Sequence, residues 1–128
     1  MTAPPPRVLV VDDCRDAADS LALLLGLWGY EPAVAYDGPS ALALAAAAPP
    51  AAVLLDIVLP GLDGFEVARR LRQLPGAERA FLVALTGLGR EEDVRRCCAA
   101  GIDLHFTKPY DTLELWRALT TSVPARPG

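Results

Sequence analysis

Short apolar runs recur along the chain, and each ends on an oxygen-bearing side chain. Val8–Val11 leads into Asp12-Asp13, Ala52–Leu55 into Asp56, and Phe81–Leu85 into Thr86. A continuous apolar run bounded by turn residues reads as a strand buried on both faces, as inside a parallel sheet. Between these runs the period changes. Leu21, Leu24, Leu25 and Trp28 recur at i, i+3, i+4 and i+7 and mark the buried face of a helix starting at Arg15. Gly29 falls at its C′ position.

The remaining elements follow from the same pattern. Arg7–Asp12 is the first strand, and the more polar Glu31–Tyr36 is an edge strand. Asp37-Gly38-Pro39 opens a second helix, which Pro49-Pro50 ends. After the central strand, Asp63 with Glu66 three residues on forms a capping-box pattern, and Phe65, Ala68 and Leu71 face inward. Pro75-Gly76 closes that unit. A strand from Ala80 to Thr86 leads through the loop Gly87-Leu88-Gly89 to a helix from Arg90 to Ala100. That helix is expected to turn Val94, Cys97 and Cys98 towards the core and to stop at Gly101. Ile102–Thr107 is the fifth strand, followed by Lys108-Pro109, a junction that can be cis. Asp111 starts a last helix packed through Leu115 and Leu119. Five β-α units with short connections predict an α/β domain, a parallel sheet with helices on both faces and right-handed crossovers. Residues 1–6 are expected to be a flexible lead-in, 7–122 the domain and 123–128 a flexible tail.

Composition narrows the classes. A chain of 128 residues is one domain, able to bury roughly two-thirds of the surface its unfolded form exposes. At 52% hydrophobic residues it is not a disordered chain. A net charge of −4 argues against direct nucleic-acid binding. Cys14, Cys97 and Cys98 lack the spacing of a disulfide framework or zinc site, and Cys97-Cys98 reads as packing. Trp28 and Trp116 likewise read as helix-packing residues. Met1–Pro6 has no apolar signal-peptide core, and the uncharged stretch Gly38–Leu55 is broken by its prolines. A cytoplasmic setting without membrane contact is the expectation.

The strand ends carry the candidate chemistry. Ligands of open α/β sheets collect beyond the carboxyl ends of the strands, which is where Asp12, Asp13 and Asp56 fall. Two carboxylates ~4 Å apart at an effective dielectric of ~20 repel by about 4 kcal/mol, so the cluster must take up protons or bind a cation. Oxygen-only donors favour a hard ion, Mg²⁺ or Mn²⁺. Lys108 supplies a point charge suited to a phosphoryl oxygen, and Thr86 offers a hydroxyl to another, with Gly87 leaving room. An aspartate nucleophile, a cation, a lysine and a hydroxyl together are equipment for phosphoryl transfer onto a carboxylate. The structural alternative is that Asp12 and Asp13 merely cap the first helix, and Thr86 its strand.

Val10-Val11-Asp12-Asp13, the run from Leu55 to Gly64, Ala84-Leu85-Thr86-Gly87 and Lys108-Pro109, in this order and spacing, resemble the receiver domain of two-component response regulators over essentially the whole chain. The resemblance implies a flavodoxin-like (βα)5 fold with strand order 2-1-3-4-5. It implies that Asp56 accepts a phosphoryl group from a sensor histidine kinase or histidine phosphotransfer protein. Asp13 and Asp56 would bind Mg²⁺ through side chains, Val58 through its carbonyl and Asp12 through water. Thr86 and Lys108 would hold the phosphoryl group, and the face of the fourth helix, fifth strand and last helix would meet an unknown downstream target. Such a domain catalyses only its own phosphorylation and dephosphorylation, as a monomer or a phosphorylation-dependent homodimer.

Three positions depart from the family or tune it. Where the family usually carries a tyrosine or phenylalanine switch, three residues before the lysine, this chain has His105. Val58 and Leu88 would flank the path of attacking water and, being apolar, slow self-dephosphorylation. Other classes fit less well. A haloacid-dehalogenase-type phosphatase needs a second acid where Val58 stands, and a flavin or nucleotide binder needs a phosphate-cradling loop where Asp12-Asp13 stands. A phosphorylation-independent interaction module on the same fold is the remaining alternative. No output domain follows Val123 within the sequence, which is expected of a single-domain regulator or of one part of a longer protein.

Overall fold

The computed structural model describes residues 4–87 and 91–125, with backbone alone at 91–93. Strand and helix alternate throughout: β1 (Arg7–Val11), α1 (Arg15–Leu27), β2 (Glu31–Ala35), α2 (Gly38–Ala47), β3 (Ala52–Asp56), α3 (Gly64–Gln73), β4 (Phe81–Thr86), α4 (Glu91–Ala99), β5 (Leu104–Thr107) and α5 (Thr112–Ser122). All strand pairs are parallel, in the order β2-β1-β3-β4-β5. This is the flavodoxin-like order expected from the sequence. The central position of β3 accounts for its composition, since all five of its residues are buried.

Successive strand residues point to opposite faces, and the core divides accordingly. Leu9, Val11, Val53 and Leu55 pack with Phe65, Val67 and Leu71 of α3, Ala41 and Ala45 of α2, and Cys97 of α4. Val8, Val10, Leu54 and Val83 pack on the other face with Leu21 and Leu25 of α1 and Leu115 and Leu119 of α5. Helices α1 and α5 therefore lie side by side on one face, and α2, α3 and α4 cover the other.

The helix ends use the expected devices. Gly29 has φ +94°, and the N–H groups of Gly29 and Tyr30 donate to the carbonyls of Gly26 and Leu25, a Schellman closure of α1. Asp37 and Asp63 cap α2 and α3 by accepting from the N–H groups of Ser40 (2.7 Å) and Glu66 (2.9 Å).

Several expectations need correction. Cys98 is exposed, whereas its neighbour Cys97 is buried. Adjacent helical positions diverge by about 100°, so both thiols cannot face the same core. Trp116 is 38% exposed and is only partly a packing residue. Glu66 does not complete a reciprocal capping box, because its carboxylate pairs with Arg69 at 3.2 Å. Ile102 is buried but precedes β5, and Val123 and Ala125 pack against the α1/α5 cluster.

Candidate functional site

Strand adjacency builds the site. Because β1 pairs with β3 in the register Val11↔Leu55, the next residues, Asp12 and Asp56, end neighbouring strands. Pairing of β4 with β5 in the register Thr86↔Thr107 sets Thr86 beside the strand that delivers Lys108. The Lys108 N–H donates to the Thr86 carbonyl at 2.7 Å, and the Lys108–Pro109 bond is cis. Asp12, Asp56 and Thr86 are buried, with exposures of 8%, 9% and 2%. Asp13 is exposed on the outer rim.

Both buried aspartates are held alike. Asp12 Oδ1 accepts the N–H of Cys14 at 3.0 Å, and Asp56 Oδ1 accepts that of Val58 at 3.0 Å. The second oxygen of each faces Lys108 Nζ, at 3.5 Å from Asp12 Oδ2 and 3.4 Å from Asp56 Oδ2. Burial pushes the Asp56 carboxyl above the usual carboxylate range, and Asp12 adds to this. The Val58 N–H and the Lys108 charge act the other way without cancelling the rise. Burial alone would lower Lys108, but the Asp56 and Asp12 charges outweigh it and raise its pKa. The ammonium is therefore a lasting charge, and Asp56 is a carboxylate whose ionised form gains from any added cation.

The donor set suits such a cation. Asp12, Asp13 and Asp56 each bring a carboxylate oxygen to within 4.8 Å of the others, without His or Cys in the group. Oxygen donors carrying several negative charges select a hard divalent ion. The loop after β3 is held tightly around them. Gly64 N–H donates to the Ile57 carbonyl at 3.0 Å, and a Cβ at Gly64 would lie 2.5 Å from Ile57 Cα and 2.8 Å from the Asp56 carbonyl oxygen. Only glycine lets α3 begin directly against the Asp56–Ile57 peptide.

The other predicted residues surround this centre. Val58 is 58% exposed at the rim. His105 is half-buried in β5 opposite Ala84 of β4. Leu88 lies outside the described residues. Sequence reasoning overlooked Tyr110, whose phenol burial pushes up. With Leu21, Leu54 and Leu85 it walls a cavity of about 320 Å³ beside Lys108. Its only signal was its place two residues after Lys108. The role of Gly64 was also missed, because the sequence shows a glycine there and not the Ile57 and Asp56 backbone that it approaches.

Comparison with known proteins gives a consistent placement. The sequence model described as the response regulator receiver domain matches residues 8–120. An uncharacterised 14.6 kDa protein of Leptolyngbya boryana is 39% identical over 110 residues, covering 86% of this chain and 84% of that protein. Other curated relatives are longer, and the chain spans 46% of one and 26% of another. Among solved structures, the chemotaxis protein CheY4 of Vibrio cholerae superposes with a TM-score of 0.86 at 27% identity, over 91% of this chain and 98% of that one. The receiver domain of the sensor histidine kinase PA1611 of Pseudomonas aeruginosa, solved with a magnesium ion coordinated in its active site cleft, gives 0.83 at 29% identity, over 92% and 97%. Among the described residues no helix is long and apolar enough to cross a membrane. The matched span runs from the strand before Asp12 to the helix after Lys108, and on that ground the chain belongs to the receiver-domain family of two-component response regulators.

Proposed function

We propose that Asp56 accepts a phosphoryl group from the phosphohistidine of a sensor histidine kinase or a histidine phosphotransfer protein. An Asp56 carboxylate oxygen attacks phosphorus, the P–N bond breaks, and the imidazole leaves with a proton. Lys108 Nζ, already 3.4 Å from Asp56 Oδ2, pairs with one phosphoryl oxygen, and the Thr86 hydroxyl donates to another. A Mg²⁺ ion, or Mn²⁺ in its place, supplies neutralisation of the phosphoryl charge when bound. Asp13 and Asp56 hold it by side chains, Val58 by its carbonyl and Asp12 through water. The observation that carries this reading is the convergence of three carboxylates with one lysine at the ends of adjacent strands. Magnesium in the cleft of the PA1611 receiver domain supports the choice of ion.

The signal then passes from Thr86 to His105. Attraction of Thr86 to the phosphoryl group opens space beside β5 that His105 enters, and the α4–β5–α5 face changes its affinity for a downstream protein. This is a population shift driven by contacts that differ between two states. The test is a small phosphodonor with Mg²⁺, read by intact mass. The parent gains one phosphoryl group, whereas Asp56→Asn and the chelated parent gain none. A phosphoryl group on Asp56→Asn under the same conditions would overturn the assignment. For the switch, amide exchange is expected to change most around β5 on phosphorylation, and Thr86→Ala should remove that change. A response intact in Thr86→Ala would sink the Thr86 route.

A further inference from the structure

The cavity of about 320 Å³ beside Lys108 runs into the apolar layer between the sheet and helices α1 and α5. Val10, Leu54 and Leu85 are the buried part of its lining, and Ala17 and Thr112 belong to the exposed part. A cavity of about 150 Å³ already holds benzene, so this one has room for an aromatic ring and a short arm. Its polar end is unlike its walls. Asp12 and Asp56 both line it, each more than nine-tenths buried, and among the described residues Lys108 is the cation that faces them. Their Oδ2 atoms meet Lys108 Nζ at 3.5 and 3.4 Å, longer than the ~2.7–2.9 Å of a tight charge-assisted bond. Two buried carboxylates against one ammonium leave a negative charge uncompensated within largely apolar walls, which is a costly arrangement. Asp13, Val58 and Thr86 are not among the described lining residues, so the cavity extends away from the side where a metal ion and a phosphoryl group are expected.

We propose that this cavity binds a small arylalkyl ammonium ion, with its ring among Leu21, Leu54, Leu85 and Tyr110 and its ammonium group at the Asp12 and Asp56 carboxylates. The ring takes the place of water against apolar walls, as in ligand pockets generally. The ammonium brings the cluster to two negative and two positive charges. It carries three donors, enough to reach both Oδ2 atoms while the Oδ1 atoms keep the N–H groups of Cys14 and Val58. An anionic ligand would instead meet two carboxylates, and a neutral one would leave the charge unbalanced. Binding uses the Asp56 carboxylate as a charge and does not require that it accept a phosphoryl group.

Titration of the unphosphorylated, metal-free chain with phenethylamine, followed by NMR chemical shifts, tests this. The methyl groups of Leu21, Leu54 and Leu85 and the ring of Tyr110 should shift together. They should saturate with a dissociation constant on the order of 1 mM, a modest strength for so small a ligand. Phenylethyl alcohol has nearly the same shape without the charge and should bind at least about tenfold more weakly. Hydrocinnamate, with a carboxylate in place of the amine, should not saturate. Ala17→Phe puts a ring at the exposed edge of the cavity, and it should keep the parent's melting temperature while weakening amine binding by about tenfold or more. Asp12→Asn should weaken binding of the amine and leave that of the alcohol unchanged. The absence of a saturable shift up to about 10 mM, ten times the expected constant, would overturn the proposal. So would an alcohol that binds as tightly as the amine, or shifts centred on residues away from the cavity. Should Ala17→Phe fold poorly, the three ligands compared on the parent still decide. No phosphodonor enters these measurements, so failure here is distinguishable from failure of the phosphoacceptor assignment.

Discussion

At the scale of single residues, each buried aspartate commits one oxygen to the backbone and turns the other towards Lys108. The Oδ1 atoms of Asp12 and Asp56 accept N–H groups two residues onward, which any aspartate at a tight turn can do. This geometry is local, and the positions of Asp12, Asp13, Asp56, Thr86 and Lys108 were legible from residue type and strand endings. The need for Gly64 was not legible, because what forbids a side chain there is the Ile57 backbone seven residues back. Gly64→Ala is expected to lose about 1–3 kcal/mol of stability through overpacking. It should also weaken Mg²⁺ binding, since the clash falls on the Asp56–Ile57 peptide. Denaturant unfolding together with a metal titration checks both, and unchanged metal affinity would show that the loop yields without moving Asp56. Val58 sets a second expectation. An apolar side chain 58% exposed at the rim cannot orient water by hydrogen bonding. Val58→Asn combined with Leu88→Glu should speed loss of the acyl phosphate by up to about 10²-fold. The decay of purified phosphoprotein measures it, and an unchanged rate would refute shielding by these side chains.

At the scale of elements, the feature least visible in the sequence is Arg72 in the last turn of α3. Its guanidinium donates to the Gly101 carbonyl (2.7 and 3.0 Å), to the carbonyls of Glu78 (3.0 Å) and Ala80 (2.6 Å), and to Asp103 Oδ2 (2.9 Å). The same Asp103 oxygen accepts the N–H of Leu82 at 2.9 Å. One side chain thus ties the end of α3, the approach to β4 and the turn between α4 and β5. Arg96 of α4 adds a contact by lying over the Phe65 ring at 4.1 Å. An arginine on the polar side of an amphipathic helix gives no sign of this, because most of its partners are backbone carbonyls that only the fold brings around it. The misplaced Cys98 has a related origin, since apolar character alone did not fix which of two adjacent thiols faced inward. Arg72→Ala should destabilise the domain by about 2 kcal/mol or more, as several carbonyls lose a charged donor. Arg72→Lys should recover little, because an ammonium cannot reproduce the forked geometry. Equal stability of the lysine variant and the parent would show that charge alone suffices.

At the scale of the whole molecule, the alternation of apolar runs and helical periods was enough to predict five β-α units, and the motif resemblance supplied their order. The closure of the chain on itself was not legible. Tyr30, just after α1, donates its hydroxyl proton to the Val123 carbonyl at 2.5 Å, joining residues 93 positions apart. Val123 reads as a tail because nothing near it in sequence forms a pattern, whereas its hydrogen-bond partner is Tyr30 and it packs on the apolar cluster that α1 and α5 cover. Burial raises the pKa of the Tyr30 phenol above its ordinary value of 10.0. The unfolded chain therefore releases this proton first, at about pH 10, while the folded chain retains it. Stability from this residue is complete below that pH and is lost as pH rises through the folded value. Tyr30→Phe keeps the ring and deletes the donor. At neutral pH it should cost about 1 kcal/mol, lowering Tm by about 4 °C for a domain of this size. Above pH 10 the gap between variant and parent should narrow, because the parent alone loses the contribution of this phenol. Melting curves from pH 7 to about pH 11 would show the convergence, and a constant gap would place the cost in packing instead of in the hydrogen bond.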